Sequence, residues 1–122
     1  MADAIAWEVE ATDQFIAWYD DLPADDIEPV NTSVERLRRH GPGLRRPTVG
    51  RVEQSRYANM RELRVPKKHI RILFAFDPRR SAILLLGGSK AGDWDAWYDR
   101  NVPTADALYT EHLEMIRREQ QP

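Results

Sequence analysis

Three apolar runs lie close together between Asn59 and Lys90, and they restrict the possible folds more than any other segment. The runs read NMRELRV, IRILFAF and SAILLLGG, and only PKKH and DPRR separate them. Connections this short join neighbouring antiparallel strands, because a parallel crossover needs a dozen or more residues. The segment therefore predicts an antiparallel meander at the centre of the fold.

The four-residue connection PKKH also predicts the register of the first two strands of this meander. It places Val65 opposite Ile70, and the pairing then continues with Arg64 opposite Arg71 and Leu63 opposite Ile72. Side chains alternate between the two faces of a strand. One face is then apolar and consists of Leu63, Val65, Ile70, Ile72 and Phe74. The other face carries Glu62, Arg64 and Arg71, with Leu73 as its apolar exception.

The predicted pair of Arg64 and Arg71 is unfavourable by itself. Two like charges directly opposite each other on neighbouring strands repel. The register therefore requires a compensating anion, which either Glu62 or an external group can supply. Our working hypothesis is that an external phosphate occupies this position, which predicts a phosphate-binding site.

Charge is distributed unevenly along the chain, although the net charge is only −2. Residues 1–35 contain ten acidic residues and no lysine or arginine, whereas residues 36–71 contain twelve basic residues and two acidic ones. Such asymmetry favours a polyanion-binding surface beside an acidic one. The alternative is that the two regions neutralise each other within the fold.

Composition excludes several other classes of protein. The chain has 122 residues and 42% hydrophobic content, which fits one domain spanning 1–122, and it contains no run of about 20 apolar residues for a membrane span. The absence of cysteine excludes disulfides and thiol chemistry. The three histidines have no metal-ligand spacing, and no signal peptide is visible. We expect a cytoplasmic protein without a metal or cofactor.

The N-terminal third of the chain predicts one strand followed by two helices. Ile5, Trp7 and Val9 alternate with polar or small residues, as in a half-buried strand. Thr12 is a suitable N-cap for a helix over Asp13–Leu22. A second helix follows, capped by Asp25 or Asp26 and ended by the sequence HGP. These helices are expected to pack as a hairpin on one face of the sheet.

The remaining segments complete the predicted α+β topology. Thr48–Val52 is compatible with a short strand. Trp94, Trp97 and Tyr98 recur at helical spacing, and Thr104 is a suitable cap for the last helix. The resulting order of elements is β-α-α-β-β-β-α, with a helical hairpin on a twisted antiparallel sheet and a C-terminal helix.

Several segments, taken in order, resemble the RelE/ParE superfamily of type II toxin–antitoxin toxins, and more closely its HigB-like branch. They are FIAWYDDLP, HGPGLRRP, NMRELR, IRILFAFDP, AILLLGGSK and WYDRNVPTADALYTEHL. The resemblance implies a RelE-like fold whose basic concave face meets RNA. It also implies a ribosome-dependent endoribonuclease that cleaves mRNA, silenced by a cognate antitoxin, often a HigA-like protein with a helix-turn-helix domain. The branch commonly has GGDK before the lysine, so Ser89 is a departure.

The resemblance also indicates which residues act on RNA. Arg64 matches the arginine of the E-L-R element, Arg71 the arginine that opens the next strand, and Lys90 the lysine after the last strand. These three cations are the predicted catalytic residues, in metal-independent cleavage that uses the ribose 2′-hydroxyl. Further basic residues are predicted to contact RNA: Arg56, Arg61, Lys67, Lys68 and His69. For proton transfer, the candidates are Glu62, His69, Tyr98 and His112.

Two other functions are compatible with the same scaffold, since one fold hosts several targets. The first is a non-catalytic ParE-like toxin that inhibits DNA gyrase. The second is an inactive regulatory member that only binds its antitoxin. The acidic first helix and the low isoelectric point of about 5.9 support the second alternative, because active ribosome-binding members of the superfamily tend to be basic.

Overall fold

Five strands and three helices make up the described chain, which comprises residues 6–89 and 92–121 of a computed structural model. The elements are β1 (Val9–Ala11), α1 (Asp13–Asp20), α2 (Ala24–His40), a short 3₁₀ turn (Gly41–Gly43), β2 (Val49–Arg51), β3 (Met60–Val65), β4 (Ile70–Phe76), β5 (Ala82–Ser89) and α3 (Trp94–Glu119). None of the helices in these residues combines the length and the apolar character needed to cross a membrane.

The strands form one sheet in the order β1-β5-β4-β3-β2. Strands β2 to β5 are antiparallel, which confirms the meander predicted for β3 to β5, and β1 lies parallel to β5. The predicted register between β3 and β4 is confirmed, with Val65 paired to Ile70 and Arg64 paired to Arg71. The predicted α+β fold is thereby confirmed.

Each face of the sheet has its own apolar core. Leu63, Ile72 and Phe74 pack with the α1–α2 hairpin on one face, and all three side chains are fully buried. Met60 and Leu73 lie on the other face, where they pack with α3. The alternation of side chains along β3 and β4 therefore separates the hairpin face from the α3 face.

Two of the predicted elements differ in the structure. The segment Thr48–Val52, compatible with a short strand but left out of the predicted order, forms β2 at Val49–Arg51, so that the order is β-α-α-β-β-β-β-α. The predicted cap at Thr104 is wrong, because α3 already begins at Trp94 and continues through Pro103. A proline inside a helix costs about 3 kcal/mol. Burial of Val102 and Ala105 on the α3 face offsets this cost.

The beginnings of the first two helices are only partly as predicted. Thr12 caps α1 as expected, since its hydroxyl oxygen accepts a hydrogen bond of 3.0 Å from the backbone N–H of Phe15. The second helix begins at Ala24, and its N-cap is Pro23, not the predicted Asp25 or Asp26. Both aspartates lie in the first turn of α2, where the helix dipole favours a negative charge.

Adjacent glycines at the end of β5 allow both helical layers to approach the sheet closely. A side chain at Gly87 would collide with the ring of Trp18 from α1. One at Gly88 would collide with Trp97 from α3. The two glycines point to opposite faces of the sheet, so this pair brings one tryptophan onto each face.

A buried carboxylate joins the β4–β5 turn to α3. The Oδ2 atom of Asp77 accepts a hydrogen bond of 3.0 Å from Nη2 of Arg79 and lies 2.8 Å from Nε2 of His112. Its Oδ1 atom accepts one of 3.0 Å from the N–H of Ser81. His112, a candidate for proton transfer in the sequence, is thus part of this structural cluster.

The charge of Asp77 should make stability depend on pH. Burial opposes ionisation, but hydrogen bonds from His112, Ser81 and Arg79 outweigh it, and the pKa of Asp77 lies below its ordinary value of 3.8. Because the folded-state pKa is lowered, this stabilisation is fully present above the unfolded pKa and is lost as pH falls through the folded one. Chemical denaturation should show Asp77→Asn less stable than wild type at pH 7, with the difference shrinking below about pH 4. Parallel stability curves at all pH values would contradict this role.

Candidate active site

An open groove of about 560 Å³ lies on the α3 face of the sheet, beside β2, β3 and β4. Four arginines and two glutamates line it, together with a tyrosine, so its charged side chains carry an excess of positive charge. The lining residues are Arg46, Arg51, Val52, Glu53, Gln54, Glu62, Arg64, Arg71 and Tyr98. A groove of this charge suits an anionic ligand.

Glu62 organises the charges at the floor of the groove. Its side chain is only 3% exposed, and its Oε2 atom lies 2.7 Å from Nη2 of Arg64 and 3.7 Å from Nη1 of Arg71. The two opposed arginines therefore meet the same carboxylate oxygen. The sequence left two anions that could compensate the arginine pair, Glu62 and an external group. In the structure, Glu62 offsets the repulsion between the two arginines.

Tyr98 extends this cluster from α3. Its hydroxyl donates a hydrogen bond to Oε1 of Glu62 and accepts one from Nη1 of Arg71. Burial, followed by the hydrogen bond to Glu62 and the charge of that group, raises the pKa of Tyr98 to about 12, against the opposing effect of Arg71. The phenol is therefore protonated at neutral pH and acts as a hydrogen-bond donor to the carboxylate.

Aromatic rings of α3 hold the guanidinium group of Arg71. Its central carbon lies 4.5 Å from the ring centre of Trp94 and 5.6 Å from that of Tyr98. Such cation–π contacts favour a cation in a fixed position. The Arg71 side chain keeps 27% of its surface exposed, so a ligand in the groove can still reach it.

A glycine in β2 leaves room for the second arginine. Gly50 pairs with Glu62 across β2 and β3, and a Cβ atom there would lie 3.2 Å from Nη2 of Arg64. An isolated glycine within a strand pattern often marks such a close approach. Gly50 is therefore the residue from which the β2 side of the groove, with Arg46 and Arg51, could have been recognised in the sequence.

The structure brings together only some of the residues predicted from the sequence. Arg64 and Arg71 share the groove, whereas Lys90 lies outside the described residues. Arg61 points to the hairpin face by strand alternation, and its guanidinium donates to the carbonyls of Ala58 and Met60 at 2.8 and 3.0 Å. Arg61 is therefore not part of the groove.

The other predicted RNA contacts lie around the edges of the molecule. Lys67 and His69 are exposed in the β3–β4 turn. In the same turn, Lys68 forms a 3.0 Å ion pair with Asp26 of α2, on the hairpin side. Arg56 is exposed in the loop before β3. None of these residues lines the groove, and their contacts with RNA stay a prediction.

Comparison with known proteins identifies the family. A family model described as Phage derived protein Gp49-like (DUF891) matches residues 17–110. The chain belongs to this Gp49-like family. It is also 52% identical over 89 residues to the toxin candidate HigB3 of Mycobacterium tuberculosis, covering 73% of this chain and 78% of that protein. The family match and the similarity to HigB3 together confirm the predicted resemblance of this chain to the HigB-like branch of the RelE/ParE superfamily.

Solved structures support the same fold. The isolated RelE toxin of E. coli superposes with a TM-score of 0.60 at 7% identity, over 78% of this chain and 98% of that one. A chain of the toxin–antitoxin complex RelBE2 from Mycobacterium tuberculosis gives a TM-score of 0.57 at 16% identity, over 72% and 95% of the two chains. The Gp49-like chain therefore has the RelE fold, although little sequence is shared with these structures.

Proposed function

We propose that this chain is the toxin of a type II toxin–antitoxin system and inhibits translation by cleaving mRNA on the ribosome. The observation that carries the proposal is the pair of Arg64 and Arg71 around Glu62, in an open groove rich in arginine. Its membership of the HigB-like branch supports the same activity. A protein that acts on ribosomes works in the cytoplasm.

The proposed reaction uses the RNA itself as nucleophile. The ribose 2′-hydroxyl loses its proton and attacks the adjacent phosphorus, while the bond from phosphorus to the 5′-oxygen breaks and that oxygen gains a proton. The products are a 2′,3′-cyclic phosphate and a 5′-hydroxyl. This reaction needs no metal, and it selects RNA because DNA lacks the 2′-hydroxyl.

Each groove residue has a proposed part in this reaction. Arg64 and Arg71 hold the scissile phosphate from two sides and stabilise the additional negative charge of the transition state. Glu62 and Tyr98 position the two guanidinium groups before RNA arrives. Lys90, by its matching position in the branch, supplies a third cation. Electrostatic preorganisation of this kind is often the largest contribution to catalysis.

The proposal also includes two kinds of contact outside the groove, one with RNA beyond the scissile phosphate and one with an antitoxin. The proposed phosphate contacts at the periphery, which steer the strand without reading its sequence, are Arg56, Lys67, Lys68 and His69, whereas Arg61 is bound to backbone carbonyls. A cognate antitoxin, of the HigA-like type with a helix-turn-helix domain, holds the toxin inactive. RelBE2, which shares this fold, was crystallised as a toxin–antitoxin complex.

Translation in vitro provides the direct test. The purified chain, either untreated or first dialysed against EDTA and then against buffer without EDTA, is added to translating ribosomes, and new mRNA ends are mapped by primer extension. We expect cleavage within the ribosome-bound message in both conditions and none in the same mRNA without ribosomes. Intact mRNA throughout would refute the proposed activity. Inhibition of gyrase supercoiling instead would assign the chain to the ParE-like alternative.

The hydroxyl of Tyr98 offers a more selective test. Tyr98→Phe removes the donor to Glu62 and the acceptor for Arg71, so we expect cleavage to fall by about 10–10²-fold through misplacement of the arginines. The matched control is Tyr57→Phe, which removes a hydrogen bond with Thr110 outside the groove. Single-turnover cleavage rates should separate the two variants. Equal rates for both would show that Tyr98 has only a packing role.

A further inference from the structure

The α1–α2 hairpin carries a second surface that the proposed reaction does not use. An apolar groove of about 220 Å³ runs between these two helices and reaches Leu84 of β5. Its apolar walls come from Phe15, Ile16 and Tyr19 of α1 and from Val30 and Val34 of α2. This helix groove lies on the hairpin face, opposite the arginine groove.

Ile16 gives this helix groove an exposed apolar wall. Its side chain is 46% exposed, and within the described ranges the only other large hydrophobic residue of comparable exposure is Met115, at 39%. Met115 lies on α3 and does not line the helix groove. An exposed apolar side chain beside a groove is typical of a surface that another protein covers.

Acidic residues flank Ile16 on the same helix. Asp13 precedes it by three residues and Asp20 follows it by four, so all three side chains share one face of α1. Both aspartates are exposed, and in the described portion of the chain neither forms an ion pair. Glu35 on the opposite wall is already paired with Arg38 at 2.6 Å. Two free carboxylates therefore remain beside the apolar wall.

We infer that this helix groove is the docking site of the cognate antitoxin. The complementary segment has an apolar side chain that enters between α1 and α2, with lysine or arginine residues beside it that meet Asp13 and Asp20. Charge complementarity of this kind selects the partner and speeds association. The inference rests on the proposed function for the identity of the partner.

The position of the helix groove has a consequence for inhibition. Because the sheet separates it from the arginine groove, an antitoxin segment bound there leaves Arg71 uncovered. Inhibition then comes from the bulk of the antitoxin, which keeps the toxin off the ribosome. Toxin variants should accordingly lose antitoxin binding or RNA cleavage separately.

Binding to the product of the gene adjacent to this one, measured by calorimetry, tests the inference. We expect Ile16→Glu to weaken binding by about 30-fold or more, as for a central interface residue. The matched control Met115→Glu places the same charge on the other exposed hydrophobic position and should change binding by no more than about twofold. Arg71→Ala should also bind normally. In cells, the antitoxin should relieve growth arrest caused by wild type but not by Ile16→Glu.

A second variant addresses the charges separately. The double substitution Asp13→Lys and Asp20→Lys keeps Ile16 and should weaken binding by about tenfold or more, with a smaller effect at high salt. Retained folding of each variant is checked by circular dichroism. Normal binding by Ile16→Glu, or no binding by wild type, would overturn the inference. So would weaker binding by Arg71→Ala, which would place the antitoxin over the arginine groove.

Two further outcomes are informative. If Ile16→Glu converts a wild-type dimer to a monomer and leaves antitoxin binding unchanged, the groove binds a second copy of this chain and the inference is wrong. Calorimetry requires no cleavage, so the docking site can be confirmed even if the chain proves inactive on mRNA. Conversely, cleavage with an unaltered antitoxin affinity in Ile16→Glu would overturn only the docking site.

Discussion

Replacing Arg71 with alanine is expected to reduce mRNA cleavage by about 10²–10³-fold, the usual effect of losing one electrostatic contact to a transition state. The guanidinium lies against Trp94 and Tyr98 and faces the groove beside Glu62. Alanine removes both the positive charge and the hydrogen bond to Tyr98. The measurement is the single-turnover rate of cleavage of a ribosome-bound message, together with growth after induction in cells.

The control for this experiment comes from the neighbouring strand. Arg61→Ala removes an arginine of β3 that points to the hairpin face and donates to backbone carbonyls. We expect its cleavage rate to stay much closer to that of wild type. If Arg71→Ala cleaves as fast as wild type, the proposed phosphate clamp is incorrect. Equal large losses in both variants would indicate that strand position is unimportant and that general positive charge is sufficient.

Replacing Phe74 with alanine is expected to lower the free energy of unfolding by about 3–5 kcal/mol. Phe74 lies in β4 on the hairpin face and is completely buried, with its ring against that of Phe76 at 5.5 Å between centres. Truncation removes apolar contacts and leaves a cavity between the sheet and the helices. The free energy of unfolding of a domain is about 5–15 kcal/mol, so this single substitution removes a large fraction of the stability.

Urea denaturation measures this effect directly. Ile16→Ala serves as the control, because this isoleucine is 46% exposed and its truncation should change stability by only about 0.5 kcal/mol. A small loss of stability in Phe74→Ala would mean that the hairpin relaxes into the cavity. The same variant should also lose mRNA cleavage at elevated temperature, since the register of β3 and β4 positions the arginine groove.

The fold was largely predictable because its central elements depend on local rules. The four-residue turn after Val65 is sufficient to place Arg64 opposite Arg71, and alternation along the strands separates the apolar face from the charged one. The boundaries of α3 were less predictable. Thr104 and Pro103 resemble a helix start in isolation, but packing of Val102 and Ala105 against the sheet keeps the helix continuous from Trp94.

The candidate site was predictable only in part. The arginine pair followed from register, and Glu62 was one of the two anions that could compensate it. The partnership of Tyr98 with Glu62 was not predictable, because 36 residues separate them in sequence. Strand alternation places Arg61 and Arg64, three residues apart in β3, on opposite faces of the sheet. The charge pattern does not distinguish them, and the structure shows that only Arg64 lines the groove.

The meander and the opposition of Arg64 and Arg71 follow from local sequence, because turn length and side-chain alternation are consequences of covalent backbone geometry. The surroundings of these two arginines depend instead on contacts between distant elements. The packing of α3 on one face of the sheet brings Tyr98 and Trp94 to Arg71 and Glu62. Long-range packing of this kind depends on how the apolar surfaces of separate elements fit together, which no local pattern specifies.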